Sequence, residues 1–275
     1  MVDDAGHAPR DVRTGGNEVT PGEIAALLAS SAGAGVMNAL AGGGTILTFP
    51  TLVLLGIPAI QANATSTVAL LPGAAASMAG YRREVATHRA WLKTLFLPSL
   101  VGGGIGSVLL LKTPEKLFAS LAPFLVLFAT LLFMLQIVLS KRKGDVEVHA
   151  PHGPTKARWG VATMAQLAVA IYGGYFGAGI GILMLVVLGF LGLTDIHAMN
   201  GLKNFFGITI NAVAAAWFIL NGAVLWPIAL VMIAGATVGG YAGAHFARRI
   251  GKEKARAAVV VIGLGVTAVL LLQRA

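Results

Sequence analysis

The sequence predicts an all-α polytopic membrane protein made of two inverted repeats, each a broken, re-entrant helical hairpin followed by three transmembrane helices. Of its 275 residues, 56% are hydrophobic and only 11% are charged, against about 25% charged in soluble domains. The mean hydropathy is +0.81. Long stretches without charge alternate with short basic clusters. This composition excludes a water-soluble enzyme and a disordered chain, and the absence of cysteine excludes a disulfide scaffold.

The individual elements follow from the apolar stretches, taken in chain order. Residues 1–21 are polar, carry charges of both signs and contain two prolines, which predicts a flexible tail. A helix needs about 20 apolar residues to cross the hydrocarbon core of a bilayer. The apolar stretches therefore predict six full spans, near 62–81, 92–111, 117–140, 198–220, 226–247 and 256–273.

Two other apolar stretches are too long for one span and are interrupted by glycines. Residues 24–57 contain the triple glycine Gly42–Gly44, and residues 159–192 contain a run of spaced glycines. Each glycine in a helix interior costs about 1 kcal/mol relative to alanine. Each stretch therefore predicts two helical limbs joined at a glycine break, with the second limbs beginning near Thr45 and Gly181.

The basic residues predict the orientation. They concentrate at 82–93, 141–158 and 248–256, and the positive-inside rule places all three clusters in the cytoplasm. The net charge of +9 is therefore typical of membrane loops and does not indicate nucleic-acid binding. Counting spans from these loops places both termini outside. One hairpin then enters from each side, so that the two halves are inverted copies.

Matching residues at a nearly constant offset support a duplication. Gly102, Gly103 and Gly106 recur 137 residues later as glycines, and Asn63 matches Asn200 at the same offset. The expected organisation is a tail at 1–21, a first repeat at 22–140, a cytoplasmic linker at 141–158 and a second repeat at 159–275.

The glycine breaks supply the first candidate site residues. A hairpin leaves backbone N–H groups unpaired where its second limb begins, and the helix dipole adds positive potential there. Paired broken helices commonly form the substrate site of secondary transporters. The same glycines would also suit close helix packing alone. The candidates at the breaks are Gly42, Gly43, Gly44, Thr45, Gly179 and Gly181.

Polar residues that open two spans supply the second group, because they could not all face lipid without unpaired hydrogen-bonding groups. These are Asn63, Thr65 and Ser66 in the first repeat and Asn200, Lys203 and Asn204 in the second. Hydrogen bonds between helices are the alternative role. Lys203 lies about 8–10 Å deep on a helical rise of 1.5 Å per residue. It either reaches back to the headgroups or neutralises an incoming anion.

Several kinds of chemistry are not expected. Asp and Glu occur only in tails, loops and span ends, so carboxylate proton relays and acid–base catalysis by an enzyme are not predicted. His149 and His152 have no third ligand nearby, and no phosphate-binding loop of the Walker type occurs. We therefore expect no metal site and no cofactor. Backbone carbonyls leave coupling to Na⁺ open.

The motifs around the first break resemble a known family. The run Gly33-Ala-Gly-Val-Met-Asn-Ala-Leu-Ala-Gly-Gly-Gly-Thr-Ile-Leu-Thr-Phe-Pro50 is similar to the TauE/SafE sulfite exporters, also called toluene-sulfonate uptake permeases. The segments 177–181 and 198–204 resemble the family's second repeat, although a full triple glycine is missing there. The resemblance covers about residues 24–273. It implies a multi-pass transporter of the bacterial inner membrane that moves sulfite, sulfonates or related small anions.

The sequence and this resemblance together predict a secondary transporter that exports small anions such as sulfite, organosulfonates or related sulfur oxyanions. A channel-like anion facilitator is the alternative. The expected partners are the small anionic substrate and the lipid bilayer, with a homodimer as one arrangement that the sequence allows. The particular anion, the coupling ion and the direction stay open at this point.

Overall fold

The computed structural model describes residues 20–40, 43–79, 82–142, 155–250 and 252–272. Within these ranges the chain forms eleven α-helices and no strand, which confirms the all-α fold class. Most of the predicted tail and linker lies outside the described residues. The helices are α1 (Pro21–Leu40), α2 (Thr45–Leu54), α3 (Ala59–Ala79), α4 (Arg82–Thr87), α5 (Arg89–Lys112), α6 (Glu115–Arg142), α7 (Lys156–Tyr175), α8 (Ile180–Phe190), α9 (Ile196–Leu220), α10 (Trp226–Ile250) and α11 (Lys252–Leu272).

Four of the described helices are long and apolar enough to cross a membrane, and they lie in α5, α6, α9 and α10. The predicted spans near 62–81 and 256–273 coincide with α3 and α11. Neither belongs to the four, because α3 carries a polar run and the apolar part of α11 covers only Val260–Leu272. Many large apolar side chains on α5 and α6 face outward, as lipid contact requires.

Both predicted hairpins form as two limbs of unequal length. The short limbs α2 and α8 have 10 and 11 residues, so each covers about half of the hydrocarbon thickness at about 1.5 Å per residue. The second break contains Gly177 and Gly179, both with left-handed backbone. The glycines on either side of it, Gly173, Gly174 and Gly181, lie inside the helices α7 and α8.

Pro50, which the sequence marks as a further interruption of 24–57, lies inside α2 and is buried. A proline lacks the N–H that would bond the carbonyl four residues earlier. At Pro50 that carbonyl belongs to Ile46, in the first turn of α2, so the proline sits close to the helix start and the helix continues to Leu54.

The two long limbs of the hairpins pack where glycines let backbones touch. On α5, a side chain at Gly102 would lie 2.8 Å from the carbonyl oxygen of Leu167 on α7. On α1, a side chain at Gly35 would lie 2.6 Å from the amide nitrogen of Gly240 on α10. Only glycine permits this approach, which is the usual way that membrane helices gain packing energy. The glycine runs in α5 and α10 therefore serve helix pairing.

The helix pairs are reciprocal between the two halves of the chain. The limb α1 packs against α10, and the limb α7 packs against α5. Likewise α3 contacts α10 and α9 contacts α5, while α3 meets α9 and α6 meets α11. Exchanging the halves reproduces the same set of pairs. A duplicated chain related by a two-fold axis would pack in this way, and the inversion of the repeats stays a prediction.

Contacts between loops show which helix ends lie together. The carboxylate of Glu115 accepts hydrogen bonds from the backbone N–H groups of Ala59 and Ile60, which joins the starts of α6 and α3. At other helix ends, the rings of Trp91 and Trp159 meet edge-to-face with centroids 5.1 Å apart. The Glu115 contact joins loops that the predicted orientation places outside the cell, and the tryptophan contact joins segments that it places in the cytoplasm.

Candidate functional site

A cavity of about 100 Å³ lies between the two glycine breaks. This volume holds several water molecules or one small oxyanion. The breaks and the helices α3 and α9 enclose it. The residues that line it are Asn38, Gly43, Thr45, Thr67, Leu70, Leu71, Ala74, Gly177, Gly179, Ile180, Gly181, Lys203, Asn204, Gly207, Ile208 and Asn211.

The short limbs α2 and α8 both begin at this cavity. Gly43, two residues before α2, has a φ of +95°, and Gly179, the residue before α8, has a φ of +78°. These left-handed conformations are open to glycine and strained for other residues, so each break depends on its glycine. The backbone N–H groups of Ile46 and Leu47 in α2 and of Ile180 and Ile182 in α8 bond to carbonyl oxygens three residues earlier. Each helix start therefore presents mainly the positive end of its helix dipole. Two positive helix ends therefore meet at one cavity.

Lys203 brings a positive charge to the cavity. Its side chain on α9 is 8% exposed. It runs along the start of α8, where a side chain at Gly181 would lie 3.1 Å from the Lys203 Cδ atom. Among the described residues that line the cavity there is no Asp or Glu. Lys203 is therefore the charged side chain among the described lining residues.

Three asparagine side chains and two threonines add polar groups to the lining. The Nδ2 of Asn211 donates to the carbonyl oxygen of Gly207 at 2.9 Å. The Oδ1 of Asn38 accepts from the amide of Gly44 at 2.8 Å. Asn204 lies one residue beyond Lys203 on α9. Polar groups of this kind orient a small ligand in an otherwise apolar cavity.

The lining residues of α3 and α9 occupy matching positions. On α3 they are Thr67, Leu70, Leu71 and Ala74, and on α9 they are, besides Lys203, Asn204, Gly207, Ile208 and Asn211. Each residue of the second set follows its counterpart by 137 positions, the offset already found for the glycines. Spacings of three and four residues place each set along one face of its helix. One stripe from each half of the chain therefore forms the cavity wall.

Three other candidates, Asn63, Thr65 and Ser66, are buried and hydrogen-bonded between helices. The Nδ2 of Asn63 donates to the carbonyl oxygen of Tyr175 at 3.1 Å. The Oγ1 of Thr65 accepts from the backbone of Leu225 at 3.1 Å, and the Oγ of Ser66 lies 2.6 Å from the Oγ1 of Thr48. None of the three lines the cavity. Their observed contacts are the helix-to-helix bonds that were the alternative role.

The structure thus divides the twelve candidate residues. Six of them line the cavity, namely Gly43, Thr45, Gly179, Gly181, Lys203 and Asn204. Gly44 lies behind its wall as the residue before α2, with its amide bound to Asn38. Asn200 is half-buried on α9 and outside the lining, and Gly42 lies outside the described residues.

The sequence reasoning missed Asn38, Thr67 and Asn211. Thr67 could have been found from Asn204, since the two lie 137 residues apart. Asn211 follows Asn204 by two helical turns, which also places both on one face. Asn38 carries no comparable signal, because it meets the cavity only through the fold of the first break.

No group of three or more His, Asp and Glu residues that could hold a metal occurs in the described part of the chain. The donors at the cavity are amides, hydroxyls and an ammonium group. Such groups, together with helix N-termini, complement an anion.

Comparison with known proteins identifies the family of the chain. The family described as sulfite exporter TauE/SafE matches residues 27–270. The chain belongs to the TauE/SafE family. TauE/SafE proteins are membrane transporters, so this chain is a multi-pass membrane transporter of the TauE/SafE type, and its resemblance to that family is confirmed.

Curated relatives are similar over most of their length. A probable membrane transporter protein of Haemophilus influenzae is 28% identical over 242 residues, covering 86% of this chain and 89% of the relative. A probable membrane transporter protein from a Sinorhizobium species is 27% identical, with 86% and 88% covered. The probable membrane transporter protein YfcA of Escherichia coli K12 is 25% identical, with 86% of each chain covered. No solved structure matches the chain.

Proposed function

We propose that the chain is a secondary transporter that exports a small anion, such as sulfite, an organosulfonate or a related sulfur oxyanion, across the bacterial inner membrane. One observation carries the proposal: the starts of α2 and α8 and the buried Lys203 converge on a single cavity whose described lining contains no carboxylate. The family name supports a sulfur oxyanion as the cargo.

The electrostatics favour an anion over a cation or a neutral solute. Each partly buried helix N-terminus stabilises a negative charge by up to about 2 kcal/mol. The ammonium group of Lys203 attracts an anion in the cavity and repels a cation.

The outward direction is supported by the membrane potential. An interior-negative potential drives a monovalent anion outward with about 2.3 kcal/mol per 100 mV. Export therefore needs no coupled cation, whereas uptake of the same anion does. The cavity holds no acidic residue in its described lining that would carry a coupled proton.

Flux measurements in proteoliposomes test the proposal. The purified chain should move at least one anion of a panel containing sulfite, sulfate, thiosulfate, taurine and sulfoacetate, with saturation and counterflow. An outward-directed gradient of the anion and an interior-negative membrane potential should both increase the rate of anion efflux. Absence of flux for the whole panel contradicts the proposal. Flux that never saturates and shows no counterflow supports the channel-like facilitator.

A further inference from the structure

Asn38 is the polar residue that connects the first glycine break to the cavity. It lies in the last turn of α1, is half-buried and lines the cavity. Its Oδ1 accepts a hydrogen bond of 2.8 Å from the amide of Gly44. A backbone amide can only donate, so the oxygen of the Asn38 amide must face Gly44. The two N–H groups on Nδ2 therefore remain for other acceptors.

This arrangement changes which donors the first break offers. The Gly44 amide, one of the N–H groups at the start of α2, is occupied by Asn38. Asn38 itself lines the cavity, and Nδ2 is the part of its amide that is left to donate there. The residue before α2 must also stay small, since a side chain at position 44 would lie 3.0 Å from the Asn38 Nδ2 and 2.7 Å from the carbonyl oxygen of Ala34.

The second break is held together in a different way. There the hydroxyl of Tyr172 donates to the carbonyl oxygen of Ala178 at 2.7 Å. This hydrogen bond occupies a backbone acceptor, and it occupies no backbone N–H donor. The glycines of this break that line the cavity, Gly177 and Gly179, have no side chain to donate. The two breaks are therefore chemically unequal: the first carries the neutral amide of Asn38, and the second lies beside the charged side chain of Lys203.

We propose that Asn38 is a specificity-determining residue of the transport site, which donates from Nδ2 to an oxygen of the bound oxyanion while its Oδ1 holds the break. The assignment rests on the proposed function, because the ligand is the same anion. The bond to Gly44 fixes the rotation of the amide in advance. The site thereby selects acceptor-rich oxyanions over ligands that present a donor at this position.

Substitution of Asn38 by aspartate separates the two roles. Asn38→Asp keeps an acceptor for the Gly44 amide, removes the donors and adds a negative charge. We expect it to fold with the thermal stability of the wild type while the apparent KM for sulfite rises at least about tenfold. Asn38→Leu, which loses both groups, should lower the melting temperature as well. Asn221→Asp, at an exposed loop position on the same chain, should leave transport unchanged.

A charge-matched variant controls for the added negative charge. Asn211→Asp adds the same charge to the cavity wall, at a residue whose Nδ2 already donates one of its two N–H groups to the carbonyl oxygen of Gly207. The proposal requires a larger loss in Asn38→Asp than in Asn211→Asp. Equal losses, or wild-type affinity in Asn38→Asp, overturn it and leave Asn38 as a clamp for the break. If wild-type protein neither transports the anions nor is thermally stabilised by them, the proposed function fails and this assignment falls with it.

Discussion

At the residue scale, Lys203 and Gly181 act as a pair. The lysine stem passes over the first turn of α8 because Gly181 leaves room for it there. The stem of Lys203 thus lies against α8 while the residue lines the cavity. Gly181 therefore helps to position the charge of Lys203, although it carries no functional group itself.

Replacing Lys203 by methionine should reduce transport more than tenfold, because the stem is kept and the charge that balances the anion is lost. Lys203→Arg should retain part of the rate, since the charge persists in a bulkier group. Initial rates in proteoliposomes at equal reconstituted protein measure both effects. Lys116→Met, at an exposed position on α6, is the control. If Lys203→Met transports like this control, Lys203 only anchors α9 at the membrane surface.

Gly181→Ala should weaken the apparent affinity several-fold without unfolding the protein. The added methyl group would lie 3.1 Å from the Lys203 Cδ, so the flexible lysine must shift, while an alanine is well tolerated in helical backbone. Gly189→Ala on the same helix is a matched control, since its nearest neighbour is the Met199 Cε at 3.8 Å. The measurements are the apparent KM and the melting temperature. Equal KM values for the two variants contradict the pairing of Gly181 with Lys203.

At the element scale, α3 has two faces with different tasks. Thr67, Leu70, Leu71 and Ala74 form the cavity stripe, whereas Ser66 bonds to α2 through Thr48. Sequence reasoning could predict that these polar residues avoid lipid. It could not predict which of them meets the cavity, because that depends on the rotation of α3 about its axis. With helices packed around α3, hydrophobic periodicity gives no sign of that rotation.

Ser66→Ala should therefore lower stability and leave the apparent KM unchanged. It removes one partner of a buried hydrogen bond, in which the Oγ of Ser66 lies 2.6 Å from the Oγ1 of Thr48. The loss should lower the free energy of unfolding by about 1–3 kcal/mol. Ser107→Ala is the matched control, because Ser107 is equally buried but bonds only to the carbonyl of Gly104 in its own helix. Thermal unfolding in detergent and transport kinetics read out the two properties. A raised KM at unchanged stability would show that Ser66 binds substrate, as the sequence predicts.

The hairpins were the elements that the sequence located best. The predicted second-limb starts, near Thr45 and Gly181, lie within one residue of the helix starts at Thr45 and Ile180. Glycine runs in a stretch too long for one span gave a local signal for each break. The contact of Asn38 was not predictable in the same way, because it depends on one hydrogen bond between the last turn of α1 and the residue before α2.

At the scale of the whole molecule, the two halves use equivalent surfaces for equivalent contacts. The reciprocal pairs α1 with α10 and α7 with α5 bring both glycine breaks to the centre, between α3 and α9. A site at such a centre can be reached from either side by small movements of one half against the other. The residues that break the symmetry, above all Lys203 opposite Ser66 at the same offset, give the site its charge.

The inverted topology predicts which loops face which side. A single cysteine at Asp145 should react only with a reagent added from the cytoplasm, and one at Asn221 only from outside, because three basic clusters hold their loops inside. The chain has no native cysteine, so each label reports one position. Asn221 follows α9 at an exposed site and is accessible to the reagent. Permeabilised cells, in which both positions should react, are the control. If both positions were labelled from the same side of intact membranes, the number of crossings between them could not be odd. If Asp145→Cys were labelled only from outside, the predicted orientation of the whole chain would be reversed.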